Sequence, residues 1–263
     1  SAVVYMPKGS SSERLANIRA LGAEAQITNL NYDDAVRLAA QRADERGWVL
    51  VQDTAWEGYE QVPTQIMQGY TTLALEAVEQ LGGEVPTHVF LQAGVGAMSG
   101  VLTAFFADCY RERRPKVVIV EPNAADCVFR TAEADDGALH KVDGDLATIM
   151  AGLSCGEPCT IGWEMLRRYA DHFVSVPDEI AEKGMRMLAH PHGGDEPIIS
   201  GESGAVTTGL VAELMTNERL GAIKAAIGLS ANSKVLCIST EGDTDRESYK
   251  RIVNGTHAIV ASA

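Results

Sequence analysis

Several short stretches of the chain are mostly apolar, and segments with helical patterns separate them. Residues 2–6, 88–93, 116–120 and 235–239 show this most clearly, and 25–30 and 48–52 follow the same pattern. Strands that are apolar on both faces are typical of a parallel sheet covered by helices on both sides. The sequence therefore predicts an α/β protein with a parallel sheet between two helical layers.

The segments between these strands carry signals for helix ends. Ser10, Ser11 and Ser12 precede Glu13 as an N-cap sequence, and Gly47 follows Arg46 as a helix stop. We expect one helix from about residue 13 to residue 20 and another that follows the glycine-rich turn to about residue 111. We expect further helices over residues 33–46, 64–81, 145–153, 162–169, 178–188, 204–215, 218–228 and 245–253. The apolar tail 256–263 is expected to form an edge strand or a lid over a site.

The chain divides near residues 47–53 into two α/β units of unequal size. We predict a smaller domain over residues 1–50 and a larger, cofactor-binding domain over residues 51–263. The first strand begins at Ala2 without an initiator methionine. We therefore expect the smaller domain to be incomplete and the larger one to be nearly complete.

Charge and cysteine spacing argue against several classes of function. With 22 Lys and Arg against 36 Asp and Glu, the net charge of −14 repels nucleic-acid backbones and anionic membranes. No apolar stretch approaches the length of about 18–20 residues that a membrane span needs. Neither the Cys155–Cys159 spacing nor the pair His190 and His192, in an expected surface loop, indicates a metal site. We expect free thiols in a reducing compartment, although a redox-sensitive pair among Cys127, Cys155 and Cys159 remains open.

A glycine-rich turn between an apolar strand and a helix is the strongest chemical signal. Backbone N–H groups in such a turn, together with a helix N-terminus, bind phosphate. The candidate residues are Gly94, Val95, Gly96, Ala97, Met98 and Gly100. The same turn also fits a dinucleotide fingerprint with Glu121 as the ribose acid, or a tight turn that binds nothing.

Two further segments place polar groups at predicted strand ends. Asp53 lies beside aromatic residues, where loss of water would suit a general base, although capping of the next turn is the simpler interpretation. Ser239 and Thr240 follow the last strand, where a hydroxyl is placed to hydrogen-bond a heterocycle nitrogen. Local turn chemistry, with Asp245 as an N-cap, explains the second segment equally well.

Taken in order, these segments resemble the fold type II family of pyridoxal-phosphate enzymes. That family includes threonine dehydratase, cysteine synthase and the tryptophan synthase β chain. The matching stretches are residues 6–24, 66–76, 94–100, 120–122, 202–205 and 239–243. The resemblance implies a tryptophan synthase β-like fold and pyridoxal 5′-phosphate as the cofactor.

Residues 53–59 and 94–98 are most similar to family members that act on 2,3-diaminopropionate. For the complete enzyme, the resemblance implies α,β-elimination of that small amino acid to pyruvate and ammonia. It implies that Asp53 is the base for one enantiomer, that residues 94–100 hold the cofactor phosphate, and that Ser239 or Thr240 bonds the ring nitrogen. It gives Glu121 and Glu202 the lesser role of shaping loop ends, and it implies a cytoplasmic homodimer.

The chain departs from the family pattern at the cofactor lysine. The family lysine lies in an S-x-K-x-R-G context, which none of the seven lysines of this chain has. We therefore expect the chain as given to lack that lysine and to be inactive alone. Three alternatives remain: a serine or threonine dehydratase or β-replacement enzyme, a nicotinamide-dependent oxidoreductase, and an inactive fragment.

Overall fold

The computed structural model describes residues 1–255. The strands are β1 (Val3–Met6), β2 (Glu24–Ile27), β3 (His88–Gln92), β4 (Lys116–Pro122), β5 (His172–Val176) and β6 (Val235–Cys237). The α-helices are α1 (Ser12–Ala20), α2 (Tyr32–Arg46), α3 (Gln61–Gln80), α4 (Ala97–Tyr110), α5 (Cys127–Ala134), α6 (Thr160–Tyr169), α7 (Asp178–Ala189), α8 (Glu202–Thr216), α9 (Gly221–Ile227) and α10 (Arg246–Asn254). Short 3₁₀ helices lie at Arg111–Arg113, Ala151–Leu153 and Glu218–Leu220.

The strands form two separate parallel sheets. β1 and β2 make a two-stranded sheet, and the others make a four-stranded sheet in the order β5-β4-β3-β6. His88 of β3 lies opposite Lys116 of β4 on one side and Val235 of β6 on the other. The predicted α/β class with parallel strands is confirmed.

The four-stranded sheet is buried on both faces. Successive side chains of a strand point to opposite sides. Val89 and Leu91 of β3 accordingly pack in one core with Phe106 of α4. Phe90 packs in a second core with Val206 of α8. Helices therefore cover both faces of this sheet, as the apolar strands indicate.

The N-terminal unit consists of β1, α1, β2 and α2. Ser11 caps α1 by accepting hydrogen bonds from the backbone N–H groups of Glu13 and Arg14. Gly47 ends α2 with a φ of 65°, which is left-handed backbone that glycine adopts readily. The predicted ends of both helices are confirmed.

The predicted strand at residues 48–52 is wrong. The segment pairs with no strand among residues 1–255, and Val49 and Val51 are 81% and 72% exposed. β-branched composition favours a strand only where a neighbouring strand supplies hydrogen bonds and packing.

The predicted helix at residues 145–153 is also wrong, apart from the 3₁₀ turn at its end. Gly144 and Leu146 have φ values of 116° and 50°, which a right-handed helix does not accommodate. The helix-like spacing of Leu146, Met150 and Leu153 arises because a loop buries these three side chains as anchors.

Two elements escaped prediction. They are β5, an edge strand whose first four residues are only half-buried, and the short helix α5. The predicted edge strand or lid at residues 256–263 lies outside the described residues.

Candidate active site

A cavity of about 360 Å³ lies at the carboxyl end of β3. This is the edge of an open parallel sheet at which ligands bind. Its wall combines Asp53, residues 94–99 and Thr240, which belong to the three segments that the sequence indicated. Segments separated by nearly 190 residues in the chain therefore meet at one place.

The glycine-rich turn approaches its neighbours closely. A Cβ atom on Gly94 would lie 3.0 Å from the Sγ of Cys155 and 3.2 Å from the carbonyl oxygen of Gly152. Gly96 is the N-cap of α4 with a φ of 88°, and no side chain caps this helix end. The backbone N–H groups at the start of α4 thus lie next to the cavity without a side-chain acceptor.

Gly100 is not part of the cavity wall. A Cβ atom there would lie 2.6 Å from the carbonyl oxygen of Gly162 in α6. Its lack of a side chain lets α4 and α6 pack closely. Gly100 therefore supports the packing of α4 behind the turn and does not itself face the cavity.

Ser99 adds a hydroxyl that has no partner. The side chain is 1% exposed and lines the cavity, and nothing within residues 1–255 hydrogen-bonds its Oγ. A buried hydroxyl without a partner costs free energy. A phosphate oxygen in the cavity would satisfy it.

The two predicted hydroxyls after β6 lie in different surroundings. Thr240 lines the cavity, and its Oγ1 accepts a hydrogen bond of 2.9 Å from Nε2 of Gln92. The Oγ of Ser239 instead lies 2.7 Å from the Oγ of Ser200 and does not belong to the cavity wall. Thr240 keeps its own hydroxyl hydrogen for a ligand.

Asp53 reaches the cavity from the loop before α3. Its Oδ2 accepts a hydrogen bond of 3.0 Å from the hydroxyl of Tyr70 in α3. Burial, and then the Asp53 carboxylate, raise the pKa of Tyr70. The phenol therefore remains a donor to the carboxylate at neutral pH.

The opposite wall is built where the 3₁₀ turn Ala151–Leu153 meets the start of α8. The backbone N–H of Gly152 donates to the Oγ of Ser203, and the N–H of Ser203 donates to Oε2 of Glu241. Glu202 points away and accepts a hydrogen bond of 2.8 Å from the hydroxyl of Ser248. Glu241 therefore serves as the acceptor at this helix end.

Glu121 is not placed to bind a ribose. It is fully buried, and its carboxylate accepts hydrogen bonds of 2.9 and 2.6 Å from the backbone N–H groups of Val128 and Phe129 in α5. Burial raises the pKa of Glu121. The nicotinamide alternative therefore lacks its acidic residue.

Three thiols surround the back of the turn. Cys155 lines the cavity, the thiol of Cys127 lies 3.7 Å from the carbonyl oxygen of Gly94, and the backbone N–H of Cys159 donates to Val95 at 2.7 Å. All five cysteines are free thiols. Burial raises the pKa of all three, so they remain protonated at neutral pH.

The sequence did not assign roles to Ser99, Tyr70 or Gln92. Ser99 and Tyr70 lie inside motifs that the sequence did indicate, so their positions were available as a signal. Their orientation was not, because it depends on how α3 and α4 pack.

None of the seven lysines, all within residues 1–255, lines the cavity. Within the same residues, no group of His, Cys, Asp and Glu side chains is arranged to hold a metal ion. No helix in this part of the chain has both the length and the apolar content to cross a bilayer.

Comparison with known proteins agrees with this geometry. The profile of the family described as "Pyridoxal-phosphate dependent enzyme" matches residues 1–240. The diaminopropionate ammonia-lyase of Salmonella typhimurium is 53% identical over 262 residues, which cover 98% of this chain and 65% of that protein.

Two crystal structures of the Escherichia coli diaminopropionate ammonia-lyase superpose with a TM-score of 0.90. The holo form is 50% identical and covers 96% of this chain and 63% of that chain. The complex with D-serine is 49% identical and covers 98% and 65%.

This chain thus spans about 65% of the length of the curated relatives that it matches. The family profile covers most of its residues, and the fold agrees with the resemblance inferred from the sequence. The chain belongs to the pyridoxal-phosphate dependent enzyme family and has the fold type II architecture.

Proposed function

We propose that the full-length protein eliminates ammonia from 2,3-diaminopropionate and forms pyruvate, with pyridoxal phosphate as the cofactor. Relatives named for this activity, at 51–53% identity over 98% of the chain, support the proposal. The observation that carries it is the cavity, whose wall combines an anion-binding turn, a free hydroxyl and a carboxylate.

The residues of the turn fit the phosphate group of the cofactor. Gly94, Val95, Gly96, Ala97 and Met98 bring backbone N–H groups to the cavity at the N-terminus of α4. The unpartnered hydroxyl of Ser99 donates to a phosphate oxygen. Gly100 supports the turn by letting α4 approach α6.

We assign the pyridine nitrogen of the cofactor to the hydroxyl of Thr240. Because Gln92 already donates to Oγ1 of Thr240, the threonine hydrogen is free to point at a ring nitrogen. Ser239, which bonds Ser200, holds the end of β6 instead. A neutral hydroxyl leaves the nitrogen unprotonated, which suits elimination better than transamination.

The base in this proposal is Asp53. When bound, pyridoxal phosphate withdraws electrons from the substrate Cα and makes its proton acidic. For one enantiomer, Asp53 accepts this proton: the C–H bond breaks and an O–H bond forms on the carboxylate. The β-amino group leaves as ammonia, and water completes the conversion to pyruvate and a second ammonia.

The test uses the full-length protein loaded with pyridoxal phosphate. Pyruvate release is measured on D- and L-diaminopropionate, D- and L-serine and L-threonine. We expect kcat/KM for diaminopropionate to exceed that for the others by about tenfold or more, since recognition of the second amino group requires paired polar contacts. A higher value for threonine would contradict the proposal.

A second experiment tests the base. Asp53→Asn should lower turnover of one enantiomer by about 10²- to 10⁴-fold, because loss of a general base costs this much. The control is Asp108→Asn, which changes an exposed carboxylate on α4. Unchanged turnover of both enantiomers by Asp53→Asn would remove the assignment.

A serine-type substrate is the second candidate. It is favoured by the crystal structure of the Escherichia coli relative in complex with D-serine. In that case pyruvate still forms, but serine gives the higher kcat/KM. Product formation on adding a second nucleophile would instead indicate β-replacement.

We further propose that the full-length protein is a homodimer and resides in the cytoplasm. The family resemblance supports the first statement, and the five free thiols support a reducing compartment. Sedimentation equilibrium tests the first, and fractionation of the producing cells tests the second.

A further inference from the structure

Asp53 receives one side-chain hydrogen bond, and it comes from α3. The hydroxyl of Tyr70 lies 3.0 Å from Oδ2, and no other group within residues 1–255 donates to this carboxylate. Oδ1 therefore remains free on the side of the cavity that Asp53 lines.

The fold directs Tyr70 at this position. Met67, Tyr70 and Ala74 are spaced by three and four residues and share the inner face of α3. Tyr70 packs against the cluster that includes Met67, Val95 and Ala97. Its ring is thus anchored between the helix and the phosphate turn, and its hydroxyl reaches Asp53.

The backbone of Asp53 is held separately. Its N–H donates to Oε1 of Gln52 at 3.0 Å, and Nε2 of Gln52 donates to the hydroxyl of Tyr32 at 2.9 Å. The hydroxyl of Tyr59 accepts from the N–H of Gln52 and donates to the carbonyl of Leu50, both at 3.0 Å. These bonds fix the loop, but they leave the rotation of the Asp53 side chain to Tyr70.

We propose that Tyr70 is a positioning residue that holds Oδ2 of Asp53 and so presents Oδ1 to the substrate proton. This inference rests on the proposed role of Asp53 as a base. In the step, the Cα–H bond of the substrate breaks, its electron pair stays on the substrate, and the proton moves to Oδ1. Tyr70 keeps its own proton throughout.

The tyrosines and thiols around Asp53 are neutral at working pH, and the other carboxylate of the cavity wall, Glu241, is paired with Arg14. Burial raises the pKa of each of these tyrosines and thiols, so none of them carries a charge. They are Tyr32 from α2, Tyr70 from α3, Tyr59 from the same loop, and the thiols of Cys155 and Cys159. Within residues 1–255, the Tyr70 hydroxyl is therefore the one side-chain donor to the Asp53 carboxylate.

The test is Tyr70→Phe in the full-length enzyme loaded with pyridoxal phosphate, because this change removes the hydroxyl and keeps the ring. For the enantiomer that depends on Asp53, we expect kcat/KM to fall about 10- to 100-fold, as for loss of a hydrogen bond to a charged group. We expect kcat/KM for the other enantiomer to change less than about twofold. The matched control is Tyr110→Phe, whose hydroxyl lies on α4 away from the cavity.

Two further readouts separate positioning from a structural role. The acid limb of the pH profile for the affected enantiomer should move to higher pH, because the carboxylate loses a donor that favours its charged form. The ¹³Cγ NMR titration of Asp53, assigned with Asp53→Asn, should move in the same direction without any turnover. In an Asp53→Asn background, Tyr70→Phe should have almost no further effect.

The outcomes distinguish this inference from the function on which it rests. If Asp53→Asn removes turnover of one enantiomer and Tyr70→Phe does not, the positioning role is wrong and the base assignment stands. The positioning role is also wrong if Tyr70→Phe lowers kcat/KM equally for both enantiomers. It is wrong as well if Tyr70→Phe lowers kcat/KM by the same factor in the Asp53→Asn background as in the wild type. If Asp53→Asn changes turnover of neither enantiomer, both the base role of Asp53 and the positioning role of Tyr70 are wrong.

Discussion

The two sheets of this chain are built from the same strand–helix units, but they differ in burial. All five residues of β3 are buried, whereas only Met6 of β1 is. Helices cover both faces of the four-stranded sheet, and no residue of α1 is buried. A cleft of about 820 Å³ lies beside β1 and residues 48–52.

The difference explains how the site is divided between the two units. The four-stranded sheet with the helices from α3 onward, here called the larger unit, supplies the phosphate turn, Thr240 and Tyr70. The N-terminal unit supplies Tyr32, which packs against the cluster that includes Met67 and Val95. It also meets the larger unit through polar contacts, such as that between Arg14 and Glu241. Dense packing fixes side-chain positions, whereas partly exposed ion pairs add little to stability.

The largest expected effect tests the packing of the larger unit. A Cβ on Gly184 of α7 would overlap the carbonyl oxygen of Ala205, and one on Gly209 of α8 would overlap that of Ile180. Gly184→Ala and Gly209→Ala should each lower the free energy of unfolding by about 1–3 kcal/mol or more. Urea unfolding of the full-length protein measures this.

The control for this pair is Gly69→Ala on α3, which has nothing within 4 Å. It should leave stability unchanged or raise it by about 0.5–1 kcal/mol. All three glycines lie in the larger unit, so equal effects would show that the close approach of α7 and α8 does not set the cost of these substitutions.

A pH experiment tests the buried end of β4. Because burial raises the pKa of Glu121 above its ordinary 4.5, the folded protein keeps a proton that the unfolded chain releases. Stability should therefore fall as pH rises from that ordinary value towards the raised one, by up to about 1.4 kcal/mol per pH unit.

Glu121→Gln should remove this slope, although it also weakens one bond to α5. The exposed Glu112→Gln should keep it. Unfolding by urea at several pH values compares the three proteins. Parallel curves for the wild type and Glu121→Gln would contradict the expected burial effect.

A smaller effect is expected at the phosphate turn. Ser99→Ala removes a hydroxyl that lacks a partner within residues 1–255, so it should cost little stability in the cofactor-free protein. In the full-length protein it should weaken pyridoxal-phosphate binding about 2- to 10-fold, as for loss of one hydrogen bond. Absorbance titration measures the affinity.

Thr103→Val on the same helix is the matched control. Its hydroxyl donates to the carbonyl oxygen of Ser99 and does not line the cavity. It should lower stability without changing cofactor affinity. If Thr103→Val weakened cofactor binding and Ser99→Ala did not, the phosphate would not contact Ser99.

The smallest effect is expected where the two units meet. Nη2 of Arg14 donates to Oε1 of Glu241 at 2.8 Å, and both side chains are partly exposed. Arg14→Ala should change global stability by about 1 kcal/mol or less. It should increase hydrogen exchange in β1 and β2 and leave β3 and β4 protected, because the latter open only on global unfolding.

Arg42→Ala, which removes an exposed ion pair within α2, is the control and should change neither sheet. Equal loss of protection in both sheets after Arg14→Ala would show that the two units unfold together.

The sequence predicted the elements whose local signals agree with their surroundings. Ser11 and Gly47 mark helix ends through backbone hydrogen bonding that they make locally. The apolar stretches at β3 and β4 predict burial on both faces, which the two cores confirm. Residues 48–52 were wrongly predicted as a strand because a strand needs a neighbouring strand. Residues 145–153 were wrongly predicted as a helix because buried side chains in a loop can have the spacing of a helix face.

What the sequence determined by itself was the α/β class, the glycine turn before α4 and the family, because these depend on backbone geometry and on motif order along the chain. Only the tertiary structure decided that Thr240 rather than Ser239 faces the cavity, that Gly100 packs against Gly162, and that Tyr70 reaches Asp53. Such choices depend on contacts between residues far apart in the chain. A one-residue step along a strand end, or a small rotation of a helix, reverses them.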